Sequence, residues 1–293
     1  MRVVGIGGGH GLAATLRAAR RYATDVSAVV TVADDGGSSG RLTRELGIPP
    51  PGDIRNCLVA LADSTELTKV YQHRFQSGTL TGHTAGNLLI AAMAEIYGDF
   101  AKGVEAAGKL LGSQGNVYPA TVELVELNAR VDGRIVSGQV AVAQTQKPIQ
   151  VVYLHPPGPS AFPGAVDAIM SADQVVLGPG SLFTSLIATL LVPGIRKALQ
   201  ATSARRVFVC NSRMQKGETE GLDAPAHLEA VLAHTGPFAV DAVVVQSPVI
   251  PTDGVEINLS GLGSSGVDII EADISNPDGS HDPQRMAGVL SRL

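Results

Sequence analysis

The stretch that most constrains the fold is Val3-Val4-Gly5-Ile6-Gly7-Gly8-Gly9-His10-Gly11-Leu12. A short β-branched run enters a cluster of five glycines, and a helix is predicted over 12–21 directly afterwards. Without a Cβ, glycine lets a backbone turn sharply and approach a ligand closely. A helix starting there presents unpaired N–H groups and a positive dipole end, which suit an anion. The expectation is a phosphate or nucleotide site at the N-terminus; the alternative is a strand-to-helix turn without a ligand. The spacing does not match the dinucleotide fingerprint G-x-G-x-x-G, because His10 or Leu12 stands where its third glycine belongs.

Length admits a large core: the 293 residues are read as one Rossmann-like domain spanning 1–293, with a β-hairpin insertion at about 117–146. The fold class expected is a three-layer α/β/α arrangement with a mostly parallel sheet and a small antiparallel insertion. A net charge of −5, no tryptophan and 4% aromatic residues argue against a nucleic-acid platform and against attraction to anionic lipid. No apolar run reaches membrane-spanning length and no leader is apparent, so a cytoplasmic protein without membrane insertion is expected. Cys57 and Cys210 lie far apart, without metal-ligand spacing, and are read as buried free thiols.

The apolar run 26–33 reads as a second strand buried on both faces. It leads into Asp34-Asp35-Gly36-Gly37-Ser38-Ser39-Gly40-Arg41. In open α/β sheets ligands bind beyond the carboxyl ends of the strands, which places this loop and loop 7–11 at one edge. Glycines and serines there can donate, Arg41 can clamp a phosphate, and Asp34 or Asp35 can accept from a ribose or hold a cation through water. A turn with solvated acids is the alternative. Asp53, Arg55 and Asn56 stand at the start of an apolar helix, read either as cap and ion pair or as site residues. His83 and Asn87 are spaced to share one helix face.

From 117 to 142 the period changes to alternation around Asp132-Gly133, a hairpin signal. Glu123 and Glu126 are read as solvent-facing residues on opposite faces of a strand. The parallel pattern is expected to resume at 149–154 and again at 174–178. There Gly178-Pro179-Gly180-Ser181-Leu182-Phe183-Thr184-Ser185 repeats the opening logic, as a second anion nest or a serine-capped helix start. Asn211 and Gln215 follow the strand at 206–210. The last clear buried strand is 240–246, and 261–293 reads as a glycine- and aspartate-rich tail ending in a short helix.

Gly5-Ile-Gly-Gly-Gly-His-Gly-Leu, Ala33-Asp-Asp-Gly-Gly-Ser-Ser-Gly-Arg, Gly52-Asp-Ile-Arg-Asn, Gly82-His-Thr-Ala-Gly-Asn, Leu177-Gly-Pro-Gly-Ser-Leu-Phe-Thr-Ser and Asn211 through Gly217-Glu-Thr together resemble the bacterial YvcK proteins. That family is described as gluconeogenesis factors, in one superfamily with CofD, the 2-phospho-lactate transferase of deazaflavin coenzyme synthesis. The resemblance implies a Rossmann-like fold, binding of UDP-type nucleotide sugars, and a role in cell shape and cell-wall precursor control on gluconeogenic carbon. It also implies protein partners in cell-wall regulation and a homo-oligomer. From the CofD branch it implies the alternative of a metal-dependent transferase using a guanosine nucleotide, with Asp34, Asp35 or Asp53 on the metal. Arg213, Met214 and Lys216 depart from the family's more usual Met-Thr and Pro, whereas Asn211, Gln215, Gly217 and Glu218 keep its pattern.

The expected ligand is a small-molecule nucleotide: a UDP-sugar first, with GDP or NAD as alternatives, and a divalent metal left open. Its expected contacts are Gly7, Gly8, Gly9, His10 and Gly11; Asp34, Asp35, Gly36, Gly37, Ser38, Ser39 and Arg41; Asn87; Gly178, Gly180, Ser181 and Thr184; and Asn211 and Gln215. No residue is assigned a catalytic role, since no evident nucleophile–base pair accompanies the anion donors.

Overall fold

The opening run forms β1 (Arg2–Gly7), with Val4 and Ile6 entering one core and Val3 the core on the opposite face. That two-sided burial is what an all-apolar strand in a parallel sheet needs. The helix α1 (Gly9–Ala19) seals Leu12 and Leu16 completely, each contributing about 1.5–3 kcal/mol. β2 (Asp25–Val30) then pairs parallel to β1. The computed structural model describes residues 1–258 and 267–293.

Five helices follow: α2 (Gly37–Leu46), α3 (Gly52–Leu61), α4 (Glu66–Gln72), α5 (Ala85–Tyr97) and α6 (Phe100–Leu111). Local chemistry sets their ends. For α6, Asp99 accepts from the Lys102 N–H at 2.8 Å, and Gly112 closes the helix. The strand β3 (Asn116–Pro119) pairs parallel to β2 and ends the sheet on that side. Next come β4 (Glu126–Val131), β5 (Arg134–Ser137), α7 (Gln139–Ala143) and β6 (Ile149–His155). The chain finishes with α8 (Pro163–Ser171), β7 (Gln174–Leu177), a π-helical turn (Leu182–Ile187) running into α9 (Ala188–Leu190), α10 (Pro193–Ala201), β8 (Arg205–Val209), α11 (Ala224–Thr235), β9 (Ala242–Gln246), β10 (Asp268–Ala272) and α12 (Pro283–Leu290).

The main sheet has seven strands in the order β10-β9-β8-β7-β1-β2-β3, all parallel. One core packs α1, α3, α6 and α12 on one face. The other packs α8, the π-helical turn, α10, α11 and the small sheet β5-β4-β6 on the opposite face. This is the three-layer α/β class expected from the sequence. Among the described residues no single helix is long and apolar enough to cross a membrane.

Several local expectations are corrected. β3, expected inside the antiparallel insertion, belongs to the main sheet, and the antiparallel unit runs from Glu126 to His155. Residues 149–154 pair antiparallel with β4 and do not resume the parallel sheet; Val152 and Leu154 bury while Val151 stays exposed, the one-sided burial of a sheet with a single covered face. The stretch 135–142 splits into β5 and α7, because the Asp35 carboxylate accepts the Val140 N–H at 2.9 Å and holds a helical turn there. Glu123 lies outside the strands and accepts from the Ser160 N–H at 2.8 Å. His83 precedes α5, so it shares no helix face with Asn87. Within the expected tail, β10 adds an edge strand and α12 supplies the short helix; 261–266 lie outside the described residues.

Candidate functional site

From β1 the sheet grows outward through β2 and β3 in one direction and through β7 to β10 in the other. The loops after β1 and β7 therefore diverge, which opens a crevice at the carboxyl ends of the two strands. At its base the two loops touch backbone to backbone. A Cβ on Gly11 would fall 2.2 Å from the Pro179 carbonyl oxygen, so only glycine fits. The Gly7 carbonyl accepts from the Thr31 N–H at 2.9 Å and from the Thr189 hydroxyl at 3.4 Å, joining the ends of β1, β2 and the helical turn after β7.

A cavity of about 320 Å³ lies on the β2 side of α1. Three helices begin on it: His10 of α1, Gly37 and Ser38 of α2, and Gly52 and Asp53 of α3 are in its lining. Each of these helices starts with a glycine, and none has an N-cap side chain bonded to its first turn. Three positive helix ends thus face one space. Gly8 sits at the junction, where a Cβ would lie 2.4 Å from Asp53 Oδ2 and 3.1 Å from Ser185 Oγ.

Two carboxylates and two arginines share this cavity. Asp34 accepts from the Gly36 N–H at 2.9 Å and also bonds Ser39. Asp53 accepts from the Gly9 N–H and from Asn56. Its pKa is pushed from 3.8 up to about 6, first by burial and then by the negative charge of Asp34; Arg55 and the Gly9 N–H oppose the rise. Asp34 is raised as well, again chiefly by burial. Arg55, buried on α3, donates to Thr84 Oγ1 at 2.5 Å, Asn87 Oδ1 at 3.0 Å and Asn56 Oδ1 at 2.7 Å. Burial lowers its pKa, and the charge of Arg74 adds to this. Ser38 Oγ stands 3.1 Å from His83 Nδ1, a buried contact between α2 and the loop before α5.

The adjacent aspartates part ways. Asp34 faces the cavity, while Asp35 turns to α7. Arg41, expected as a phosphate clamp, donates to the Thr81 carbonyl at 2.7 Å and is absent from the cavity lining; Arg55 and Arg74 take the inward positions.

The turn after β7 does not offer the anion nest expected of it, because its N–H groups already have acceptors. Gly180 donates to Asn211 Oδ1 at 2.9 Å and Leu182 to Gln215 Oε1 at 3.3 Å. Phe183 and Thr184 donate to Glu218 Oε2 at 3.1 and 3.3 Å, and the Thr184 hydroxyl donates to Glu218 Oε1 at 2.7 Å. Glu218 is itself the anion at this helix start. Burial raises its pKa against the pull of those donors. Ser181 accepts from Gln215 Nε2 at 3.1 Å, and Gly178 accepts from the Thr15 hydroxyl at 2.8 Å.

A second cavity, about 410 Å³, opens on the β7 side of α1 and shares His10 with the first. Gly11, Gly180, Asn211 and Gln215 line it, as do Arg17, Arg213, Ser280 and His281. The exposed His10 therefore stands between two lobes of one cleft. A larger cavity, about 690 Å³, includes Asp25 and Asn116 at the starts of β2 and β3, on the opposite edge of the sheet from the glycine loops.

Of the expected residues, His10, Asp34, Gly36, Gly37, Ser38, Ser39 and Asn87 line the first lobe, and Gly11, Gly180, Asn211 and Gln215 border the second; Gly7, Gly8 and Gly9 shape the turn beneath them without lining either. Ser181 and Thr184 are taken up by Gln215 and Glu218 from the loop after β8. Arg74, Arg17 and the segment around Gly279 to His281 carried no local signal, since distant chain brings them in. Asp53 and Arg55 did carry one, acids and bases on the first turn of an otherwise apolar helix. Among the described residues no group of three or more His, Cys, Asp or Glu side chains is arranged to hold a metal.

The sequence pattern of the 2-phospho-L-lactate transferase CofD family matches residues 3–275. A gluconeogenesis factor from Halalkalibacterium halodurans is 45% identical over 251 residues, covering 85% of this chain and 78% of its own length. A gluconeogenesis factor from Bacillus subtilis is 40% identical over 304 residues, covering 98% of this chain and 96% of its own. The crystal structure of a UPF0052 family member from Bacillus halodurans superposes with a TM-score of 0.94 at 39% identity, covering 98% of this chain and 97% of the other.

Proposed function

This chain belongs to the 2-phospho-L-lactate transferase CofD family, and we propose that it acts as a gluconeogenesis factor, the name its relatives carry, and does so as a regulator that binds a nucleotide sugar. The reading adds that it monitors a UDP-sugar and acts on cell-wall precursor metabolism and cell shape during growth on gluconeogenic carbon, from the cytoplasm and through protein partners. The observation that carries it is the convergence of three glycine-opened helix starts, at Gly9, Gly37 and Gly52, none bonded by its own N-cap side chain, on one cavity at the switch point of the sheet. Such ends attract a pyrophosphate. Asp34 and Asp53 then face sugar or ribose hydroxyls. The two lobes joined at His10 match the size class of small-molecule sites.

The test is thermal unfolding with UDP-sugars, GDP, GTP and NAD, each with and without magnesium. A ligand present at a hundred times its Kd stabilises by about 2.7 kcal/mol. Stabilisation by UDP-sugars without their consumption supports the regulator. A sugar nucleotide that leaves the melting temperature unchanged at millimolar concentration refutes it.

A second reading, a metal-dependent transferase of the CofD type with a guanosine nucleotide, is favoured by one observation. The negative charge of Asp34 raises the proton affinity of Asp53 across the cavity, and a cation beside them would relieve that repulsion. Two carboxylates form a hard oxygen set that suits magnesium when a ligand's phosphates complete the shell. When bound, such an ion neutralises phosphate charge during transfer. The chain's own part is then to hold the phosphates on the helix ends and Arg55. Magnesium-dependent release of a nucleotide in the presence of an acceptor decides for this reading.

A further inference from the structure

The lobe on the β7 side of α1 differs in charge from its neighbour. Arg17 and Arg213 line it, and no aspartate or glutamate does. Neither arginine forms an ion pair among the described residues. Asp278 is the carboxylate that feels the charge of Arg213. His281 adds no positive charge at neutral pH, because burial lowers its pKa to about 4.

Arg213 is held in place. A Cβ on Gly279 would fall 2.3 Å from its Nε and 2.5 Å from its Cδ, so the turn at Gly279 lies flat against the guanidinium stem. Ser212 ties that turn down by donating to the Gly279 carbonyl at 2.5 Å. The buried Arg213 Nε has no hydrogen-bond partner among the described residues. Two like charges lining one concave surface repel unless an anion sits between them, and a guanidinium pairs with carboxylate or phosphate oxygens through a planar fork.

We propose that this lobe is an anion subsite separate from the helix-end cavity, and that the nucleotide ligand places in it an acidic substituent carried on its non-nucleosidic half. The inference rests on the nucleotide-sugar reading and narrows it to ligands whose sugar bears its own negative charge. The pyrophosphate occupies the three helix ends, His10 marks the crossing, and Arg17 with Arg213 receives the acid. A neutral sugar leaves Arg17 without an acid and Arg213 with the charge of Asp278 alone.

UDP-glucose and UDP-glucuronate differ in this one respect, a hydroxymethyl against a carboxylate, and isothermal titration compares them directly. Charge-assisted hydrogen bonds of this type correspond to tenfold or more in affinity, so the native protein is expected to bind UDP-glucuronate at least about tenfold more tightly. Arg17 is exposed, so Arg17→Glu does not threaten folding. In Arg17→Glu and in Arg213→Ala the preference is expected to fall below about twofold. Equal affinities in the native protein, or a preference that survives both substitutions, overturn the inference and leave the nucleotide-sugar reading standing. If neither sugar nucleotide binds, that reading fails instead. Inorganic phosphate then judges the lobe: stabilisation of the native protein but not of Arg17→Glu supports it, and the same response in both proteins, rise or none, overturns it.

Discussion

Replacing Asp53 with asparagine is expected to make the ligand-free protein more stable at neutral pH. In the folded protein this carboxyl has a pKa of about 6, against 3.8 when unperturbed. An acid whose folded pKa exceeds its unfolded value binds more proton in the folded state. Its contribution is neutral below 3.8, becomes progressively unfavourable as pH rises toward 6, and is fully unfavourable above that. The difference corresponds to about 3 kcal/mol at pH 7.5. Asparagine keeps the shape and an oxygen for the Gly9 N–H but carries no charge to be buried beside Asp34. For a chain of this length, about 3 kcal/mol raises the melting temperature by roughly 5 °C. The assay is guanidinium unfolding of native and Asp53→Asn protein with a chelator present, at pH 7.5 and pH 4.5. The advantage of the variant is expected in full at the higher pH and should fall to about 1 kcal/mol at the lower. A variant less stable than native at pH 7.5, or a difference that does not change with pH, refutes the account of Asp53 as a destabilising charge kept for ligand binding.

Glu218→Ala strands three donors, the Phe183 and Thr184 N–H groups and the Thr184 hydroxyl; a loss of about 3–5 kcal/mol by denaturant titration is expected, with a smaller loss for Glu218→Gln. Asp35→Ala removes the acceptor for the Val140 N–H and costs about 1 kcal/mol with unchanged nucleotide affinity, whereas Asp34→Ala weakens affinity with little loss of stability. Gly11→Ala forces the two switch-point loops apart, since its Cβ would meet the Pro179 carbonyl at 2.2 Å; a lowered melting temperature together with lost ligand response checks this. Arg41→Ala leaves nucleotide affinity within about twofold, because its guanidinium is engaged on the Thr81 carbonyl, while Arg55→Ala weakens binding more strongly.

The α/β layering was legible because apolar runs such as 26–33 and 174–177 have no polar face and must be covered twice. β6 and β10 were harder to place, since half-covered strands do not announce their partners. The loops 7–11 and 34–39 could be placed at the cleft because both leave carboxyl ends of adjacent parallel strands. Which acid of the pair 34–35 turns inward was not readable, because that depends on α7, a helix about a hundred residues further along the chain. For the turn 178–185, the local pattern alone offers open donors or a serine-capped helix start, yet Asn211, Gln215 and Glu218 fill those donors from a different loop. Arg17 and the segment around Gly279 reach the cleft through the packing of α1 and the last strands and helix, which no local motif encodes.

The parallel pairing of β1 with β7 joins segments about 170 residues apart. At ribosomal rates of about 5–20 residues per second, β1 waits on the order of ten to thirty seconds for the neighbour that covers its second edge. During that interval a buried-type strand followed by the glycine loop has one side unpaired, the condition under which chains misassociate. Truncations that stop before Gln174 are therefore expected to be poor folding units, even though they contain the whole first lobe. The cleft and the completed sheet come into being together, late in synthesis, so the two-lobed site exists only once β7 has been made.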